Sequence, residues 1–170
     1  MRRPFFVLFL GLSLFLSSVL QAAAGWHEWS QTARNGAITN RALQDNGKNV
    51  GVECKEWAQN VVYAASGSLV WLPPNRDQPY DYMWYQDSNV VGMTAYINWV
   101  KPGQILQMRL WSSKKQAWIP HTAIVLLVDS SSVWVIDSNW VAPNTVGVHY
   151  WTFSDFRAMF GSYYSVYSIL

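Results

Sequence analysis

The chain contains one strong helical pattern, which begins at its only cysteine. From Cys54 to Ala65 the apolar and small residues recur three and four positions apart, and a period of about 3.6 residues places them on one face of a helix. The members of this stripe are Cys54, Trp57, Ala58, Val61, Val62 and Ala65. Because Ser66-Gly67 follows as a stop signal, the pattern predicts an amphipathic helix over 54–65 whose thiol faces the interior.

The pattern after Met93 is typical of β-strands with turns between them. The clearest signal is a hairpin, in which β-rich runs at 122–128 and 133–136 are joined by a polar turn at 129–132. The other predicted elements are a short helix near 39–44, strands over 104–110, 146–151 and 163–170, and a short helix over 154–160 with Ser154 as its N-cap. This order predicts an α+β fold, with N-terminal helices packed on an antiparallel β-sheet.

Residues 71–90 show no regular pattern and are rich in proline and aromatic residues. An irregular segment of this length is uncommon in a compact domain unless it serves a site. Its tyrosines and tryptophans are suited to stacking on the apolar faces of sugars, and they are equally suited to covering the edge of a core. The sequence leaves both roles open.

The N-terminus has the three parts of a secretory signal peptide. Arg2 and Arg3 form a basic start, an almost unbroken apolar run covers 5–20, and three alanines at 22–24 supply small residues for cleavage. We therefore expect residues 1–24 to be removed and the protein to be secreted or periplasmic. The alternative is a retained membrane anchor, because the apolar run approaches the length of the shortest membrane-spanning helix.

Length and charge limit the partners of the remaining chain. Removal of the leader leaves 146 of the 170 residues, which suits a single domain over 25–170 with a substantial core. The formal net charge of +2 is lost with the two leader arginines, so ten basic side chains remain against ten acidic ones. A neutral chain does not predict binding to nucleic acid, and no membrane contact is predicted after cleavage. We expect a monomer.

A single cysteine in an exported chain favours a chemical role for its thiol. One cysteine forms no internal disulfide, yet it keeps an oxidisable thiol outside the cytosol. At a helix start such as that of Cys54, the positive end of the helix dipole lowers the pKa of a thiol towards the reactive thiolate. The alternatives are a small buried core residue, which is the commonest fate of a free cysteine, and an intermolecular disulfide.

Strand geometry brings one of the three histidines beside acidic and amide side chains. His121 begins the first strand of the predicted hairpin, and Asp137 and Asn139 leave the same face of the second. With the turn at 129–132, His121 lies opposite Asn139, and Asp137 lies one diagonal away. A neighbour of this kind orients an imidazole and stabilises the imidazolium. Cys54, His121 and either Asp137 or Asn139 are then the parts of a cysteine nucleophile system, unless each has only a structural role.

Four short blocks follow one another in the chain. They are Glu53-Cys54-Lys55-Glu56-Trp57, Lys101-Pro102-Gly103-Gln104-Ile105, Pro120-His121-Thr122-Ala123-Ile124-Val125 and Val135-Ile136-Asp137-Ser138-Asn139-Trp140. In this order the blocks resemble those of the CHAP family, the cysteine, histidine-dependent amidohydrolases and peptidases. The resemblance runs from about Gly51 to the end of the chain. It implies a papain-like fold and cleavage of amide bonds in peptidoglycan, between muramic acid and the stem peptide or within the peptide.

Carried over to this sequence, the resemblance makes Cys54 the nucleophile, His121 the general base and Asp137 the acidic third residue, with Asn139 as its polar neighbour. Two positions depart from the family pattern. Gln104 stands where the family commonly has Asp, and Asp137 stands where it often has Glu. Because Asp is one methylene shorter than Glu, the resemblance leaves open whether Asp137 or Asn139 orients His121.

We therefore predict a cysteine hydrolase that cleaves amide bonds of peptidoglycan or of its peptide fragments. No cofactor is expected, because one cysteine with scattered histidines lacks the spacing of a zinc site. The alternative is a non-catalytic cell-wall or glycan-binding domain, built on the eleven tryptophans and nine tyrosines. A third hypothesis keeps the cysteine chemistry but transfers the acyl group to an amine, as transglutaminase-like enzymes do.

Overall fold

The structure is a computed structural model that describes residues 25–72, 90–93 and 96–170, with side chains described for 25–72 and 96–170. The predicted leader at 1–24 and residues 73–89 of the irregular aromatic segment lie outside the described residues. Among the helices that are described, none is long and apolar enough to cross a membrane.

Three α-helices and six β-strands make up the described part of the fold. The helices are α1 (Gln31–Leu43), α2 (Cys54–Ala65) and α3 (Phe153–Phe160), with short 3-10 helices at Trp26–Glu28 and Ile97–Trp99. The strands are β1 (Val90–Met93), β2 (Ile105–Ser112), β3 (Ala117–Val128), β4 (Ser132–Ala142), β5 (Thr145–Thr152) and β6 (Tyr164–Ile169). The α+β class is as predicted, and α2 has the predicted bounds.

The strands form one antiparallel sheet in the order β1-β6-β2-β3-β4-β5. The ladder between β2 and β3 runs without a shift of register. β3 and β4 form the predicted hairpin, in which Val128 pairs with Val133 at the turn and Ile124 pairs with Ile136 after a bulge. The two strands that carry the predicted histidine and acid are therefore neighbours in the sheet.

Buried apolar side chains cover both faces of the sheet. Along the strands whose side chains are described, they alternate between two clusters, as the two-residue period of a strand requires: Ile124 and Ile136 belong to the first, and Ala123 and Val135 to the second. The first cluster includes side chains of α1 and α2, and the second includes side chains of α3 and of 97–100. The sheet is thus the middle of three layers, with both N-terminal helices on one face.

Helix α1 is longer than the short helix predicted near 39–44. It begins at Gln31 because the side chain of Ser30 accepts a hydrogen bond of 3.2 Å from the backbone N–H of Ala33, which caps the helix. Its buried residues are Asn35, Ile38 and Ala42. Because the first of these is polar, the apolar stripe becomes visible only in the second half of the helix, and the sequence pattern hides the first half.

Two other predictions are corrected near the edges of the sheet. Helix α3 begins at Phe153 rather than Ser154, because the hydroxyl of Thr152 caps it by accepting the N–H of Asp155 at 3.0 Å. The sequence pattern also does not predict strand β1, which pairs with β6 at the edge of the sheet. A strand of four residues is too short for an alternating pattern to stand out.

Gly103 is the position at which the turn before β2 approaches α1 most closely. Its φ is 79°, and a Cβ atom added there would lie 2.4 Å from the backbone oxygen of Asn35. We expect Gly103→Ala to lower the free energy of unfolding by roughly 2–4 kcal/mol, because the cost of a left-handed backbone adds to the clash with the helix. Urea unfolding of the purified variant measures this loss.

Gly47→Ala is the matched control for this substitution. Gly47 has a similar φ of 81°, but no atom lies within 4 Å of its added Cβ. It should therefore show the conformational cost alone, about 1 kcal/mol. Equal losses of stability in the two variants would contradict a close approach of α1 to Gly103.

Candidate active site

The candidate site lies where strands β3 and β4 separate. Their ladder ends at the pair Ile124 and Ile136, although both strands continue beyond it. His121 and Asp137 lie just past this last pair, one on each of the diverging strands. The predicted pairing of His121 with Asn139 is wrong, because the ladder ends before it reaches them.

Cys54 is the first residue of α2, and the segment before it is tied to the sheet. The hydroxyl of Ser138 on β4 donates a hydrogen bond of 2.9 Å to the carbonyl oxygen of Val52. Residues 47–50 form further backbone hydrogen bonds with residues 144–146 at the start of β5. These bonds hold the start of α2 against the β4–β5 hairpin, next to the end of the β3–β4 ladder.

Burial alone does not distinguish a reactive thiol from a core residue. Cys54 is 4 % exposed, and free cysteines are commonly buried. Its neighbour is polar, however, because the Cys54 side chain is hydrogen-bonded to His121. A cysteine that only fills space needs no imidazole beside it, so this contact favours a chemical role for the thiol.

His121 contacts both Cys54 and Asp137. Its Nε2 atom lies 3.0 Å from Oδ2 of Asp137, which is ion-pair distance. Burial by itself lowers the pKa of His121, but the polar contacts and negative charges of Asp137 and Cys54 outweigh burial and raise this pKa to about 10. The imidazole is therefore positively charged at neutral pH. Because the coupling is mutual, the imidazolium also stabilises the Cys54 thiolate.

Asp137 is fully buried and contacts two histidines. Burial favours the neutral acid, but the polar contacts and charges of His121 and His149 outweigh it and hold the pKa of Asp137 below its ordinary value of 3.8. Nε2 of His149 donates an aligned hydrogen bond of 2.6 Å to Oδ2. Nε2 of His121 lies near the same oxygen without an aligned hydrogen bond. One carboxylate oxygen of Asp137, Oδ2, therefore contacts both imidazoles.

Asn139 has a role in a turn. Its φ is 81°, and its Oδ1 atom accepts a hydrogen bond of 2.5 Å from the backbone N–H of Asn144. The register between β4 and β5 shifts between Ser138 and Ala142, so Asn139 lies in an irregular part of the hairpin. A left-handed backbone breaks the strand alternation on which the sequence analysis relies, and the contact that Asn139 makes among the described residues is with this turn.

His149 is the residue of this cluster that the sequence analysis misses. It lies on β5 opposite Val135, and Gly147 lies opposite Asp137, so His149 is one diagonal from the carboxylate. The turn at Pro143-Asn144 does not reveal this residue, because a register counted from that turn places Tyr150 opposite Asp137 and puts His149 on the other face of the sheet. The shift of register between Ser138 and Ala142 is what brings His149 beside Asp137.

Gln104, which departs from the pattern of the CHAP family, has a structural role. Its side-chain oxygen accepts a hydrogen bond of 2.8 Å from the backbone N–H of Lys101, and its amide nitrogen donates one of 2.9 Å to the hydroxyl of Ser168. These bonds close the turn before β2 and connect it to β6. At this departure from the family pattern, Gln104 therefore stabilises the turn before β2.

The raised pKa of His121 can be tested directly. In a histidine NMR titration we expect the His121 ring to lose its proton near pH 10, far above the ordinary value of 6.5. Asp137→Asn and Cys54→Ala should each lower this midpoint, because each removes a negative group that favours the imidazolium. The variant His121→Gln assigns the signal. A wild-type midpoint near 6.5 would mean that neither neighbour acts on the ring.

Fold and site together define an α+β protein in which a cysteine at a helix start meets a histidine and an aspartate from two diverging strands. Among the residues that the structure describes, no group of three or more histidine, cysteine or acidic side chains is arranged to hold a metal ion. The contacts of Cys54, His121 and Asp137 have the composition of a nucleophilic cysteine site.

No family model matches the chain, and no curated protein matches it. The fold is similar to that in the crystal structure of Ly7917, with 16 % identity and a TM-score of 0.55, covering 78 % of this chain and 61 % of that chain. It is also similar to Ly7917 with the hydrolyzing product of MDP, with 15 % identity and a TM-score of 0.56, covering 78 % and 62 %. The chain therefore spans about three fifths of the length of these neighbours, and the likeness shows the fold.

Proposed function

We propose that the protein is a papain-like cysteine hydrolase that cleaves amide bonds of peptidoglycan, with Cys54 as nucleophile. The observation that carries this proposal is the contact of one imidazole, that of His121, with both the only cysteine and a buried carboxylate. An imidazole in this position can stabilise the Cys54 thiolate before the reaction and transfer a proton during it.

The start of α2 supports attack by the thiolate on an amide carbonyl. Side chains cap the N-termini of α1 and α3, but Glu53 provides no side-chain cap to α2. The first backbone hydrogen bond of α2 joins the N–H of Trp57 to the carbonyl of Glu53. The backbone N–H groups in the first turn of a helix point along its axis, here towards the end at which the Cys54 thiol lies. They are suited to stabilising the negative oxygen of the tetrahedral intermediate.

Proton transfer by His121 completes the reaction. Sγ of Cys54 forms a bond to the carbonyl carbon, and the C–N bond breaks as the imidazolium gives its proton to the leaving amine. The product of this first half-reaction is a thioester between Cys54 and the acyl part of the substrate. The neutral imidazole then takes a proton from water, whose oxygen attacks the thioester carbon. The C–S bond breaks, and this releases the carboxylic acid and restores the Cys54 thiolate and the His121 imidazolium. Asp137 stays ionised throughout and keeps the ring oriented.

The substrate class rests on two supports of different kinds. The four blocks around Cys54, Gly103, His121 and Asp137 resemble those of CHAP enzymes, whose usual substrate is peptidoglycan. A structure of similar fold, Ly7917, was solved with a hydrolysis product of MDP, which agrees with hydrolysis as the reaction class. We also propose that the predicted leader at 1–24 is cleaved and that the domain acts outside the cytosol, where this substrate lies.

Digestion of purified peptidoglycan tests the proposal. We expect the mature domain to release soluble fragments with new amino groups, and mass spectrometry of the fragments then names the bond that is cut. A parallel reaction with an added primary amine separates hydrolysis from acyl transfer, because only transfer incorporates the amine. Intact peptidoglycan after prolonged incubation with folded wild-type protein would overturn the assigned substrate.

An exposed aromatic cluster favours glycan binding as a second candidate function. Trp111, Trp118 and Tyr163 are about half exposed, and their rings contact one another in sequence next to the turn that joins β2 and β3. The guanidinium of Arg109 lies 5.0 Å from the ring of Trp118 and 5.1 Å from that of Tyr163. Exposed rings of this kind can stack on sugars. Retention on insoluble peptidoglycan with no product released would favour this function over hydrolysis.

A further inference from the structure

His149 is held in one orientation by its surroundings. Its ring is stacked on that of Trp140, with centroids 5.4 Å apart and planes 10° apart, and the edge of Trp151 meets it at 4.6 Å. In this orientation Nε2 points at Asp137 and donates the hydrogen bond of 2.6 Å to Oδ2. The bond requires a proton on Nε2, because a carboxylate can only accept.

The hydrogen bond to His149 fixes the oxygen that faces His121. Nε2 of His121 is 3.0 Å from the same Oδ2 atom, while Oδ1 of Asp137 is buried without a hydrogen-bond partner among the described residues. The carboxylate is therefore anchored through His149 and not through its other oxygen. If this anchor is lost, the Asp137 side chain can rotate, and the contact that favours the His121 imidazolium weakens.

We propose that His149 is a positioning residue for the cysteine site, which holds the Asp137 carboxylate in the orientation that His121 needs. Its effect passes from β5 through Asp137 on β4 to His121 on β3 and then to Cys54 on α2. The kinetic part of the inference rests on the proposed hydrolase function, and the thiol chemistry does not.

His149 contributes a hydrogen-bond donor to Asp137 as well as a ring that packs against Trp140 and Trp151. A phenyl ring has a similar shape and could also stack on Trp140 and meet Trp151, but it has no donor for Asp137. Nδ1 of His149 is buried and has no hydrogen-bond partner among the described residues, so the bond to Asp137 is the polar contact that this ring makes there. The two contributions of His149 can therefore be separated by substitution.

Two variants separate the donor from the ring. His149→Phe keeps the aromatic packing and removes the donor, whereas His149→Gln keeps an N–H close to the position of Nε2 and removes the ring. The first readout is the rate at which iodoacetamide alkylates Cys54 at pH 7, which reports the thiolate without any substrate. The second is kcat and KM on soluble peptidoglycan fragments. The unfolding temperature of each variant shows whether it is folded during the assays.

We expect His149→Phe to slow alkylation and to lower kcat by about ten- to a hundred-fold, with KM little changed, because a charge-assisted hydrogen bond that orients the site is lost. His149→Gln should retain both rates within a few-fold. Two results would overturn the proposal: wild-type rates in folded His149→Phe, or equal losses in both variants, which would assign His149 to packing. If no fragment is hydrolysed by the wild type, the proposed function fails, and alkylation alone still decides the role of His149.

Discussion

Replacing Cys54 by alanine should abolish hydrolysis of peptidoglycan while leaving the fold intact. The substitution removes one sulfur atom from a buried position and with it the nucleophile, so we expect turnover to fall by about ten-thousand-fold or more. Release of soluble fragments from purified peptidoglycan measures the loss. Circular dichroism and urea unfolding should show a folded protein, because alanine is a good helix residue at the first position of α2.

Cys54→Ser is the matched control, because it keeps a hydroxyl in place of the thiol. At neutral pH a serine hydroxyl is a far weaker nucleophile than a thiolate, so this variant should also be inactive. If Cys54 were only a core residue, both variants would change stability and leave the rate untouched. Undiminished digestion of peptidoglycan by Cys54→Ala would therefore exclude the cysteine mechanism.

Asp137→Asn should cause the second large loss of activity. Asparagine is almost the same size as aspartate but carries no charge, so it leaves the buried His121 without the group that favours its protonated form. In a comparable triad, loss of the acid lowers kcat by roughly ten-thousand-fold, and we expect a loss of about a thousand- to ten-thousand-fold here. Fragment release at several pH values measures it.

Asn139 supplies the comparison that decides which residue orients His121. Because Asn139 has a φ of 81° and accepts a hydrogen bond from Asn144, Asn139→Ala should reduce stability, whereas Asn139→Gly should tolerate the backbone better. Both variants should retain activity within a few-fold when folded. The opposite pattern, with an inactive Asn139→Gly and an active Asp137→Asn, would assign the orienting role to Asn139.

Local sequence patterns correctly predict the elements whose signals lie within one stretch of the chain. Helix α2 has its predicted bounds because its apolar stripe is complete and a glycine ends it. Helix α1 is only half predicted, because its first buried residue is the polar Asn35. That side chain accepts a hydrogen bond from Gln31 and packs against Gly103, and such a contact between distant segments leaves no trace in local hydrophobicity.

In the candidate site, too, local patterns predict one part of the arrangement and miss another. The register of one hairpin places Asp137 near His121, and the structure has the two side chains at ion-pair distance. The predicted pairing of Asn139 with His121 is wrong because a left-handed residue and a shift of register break the alternation of β4. That these residues carry out catalysis stays a prediction, to be decided by the variants of Cys54 and Asp137.

By itself, then, the sequence determined the α+β class, the helix that begins at Cys54 and the hairpin that carries His121 and Asp137, since periodicity and turn chemistry act over short distances. Only the tertiary structure decided that β3 and β4 separate where α2 begins, that Asn139 serves a turn and that His149 shares the carboxylate of Asp137. These features arise from contacts between β3, β4, β5 and α2. The physical reason is that the buried charge of Asp137 needs polar partners, and these come from β3 and β5. Those strands are separate stretches of the sequence, so no single stretch predicts the contacts.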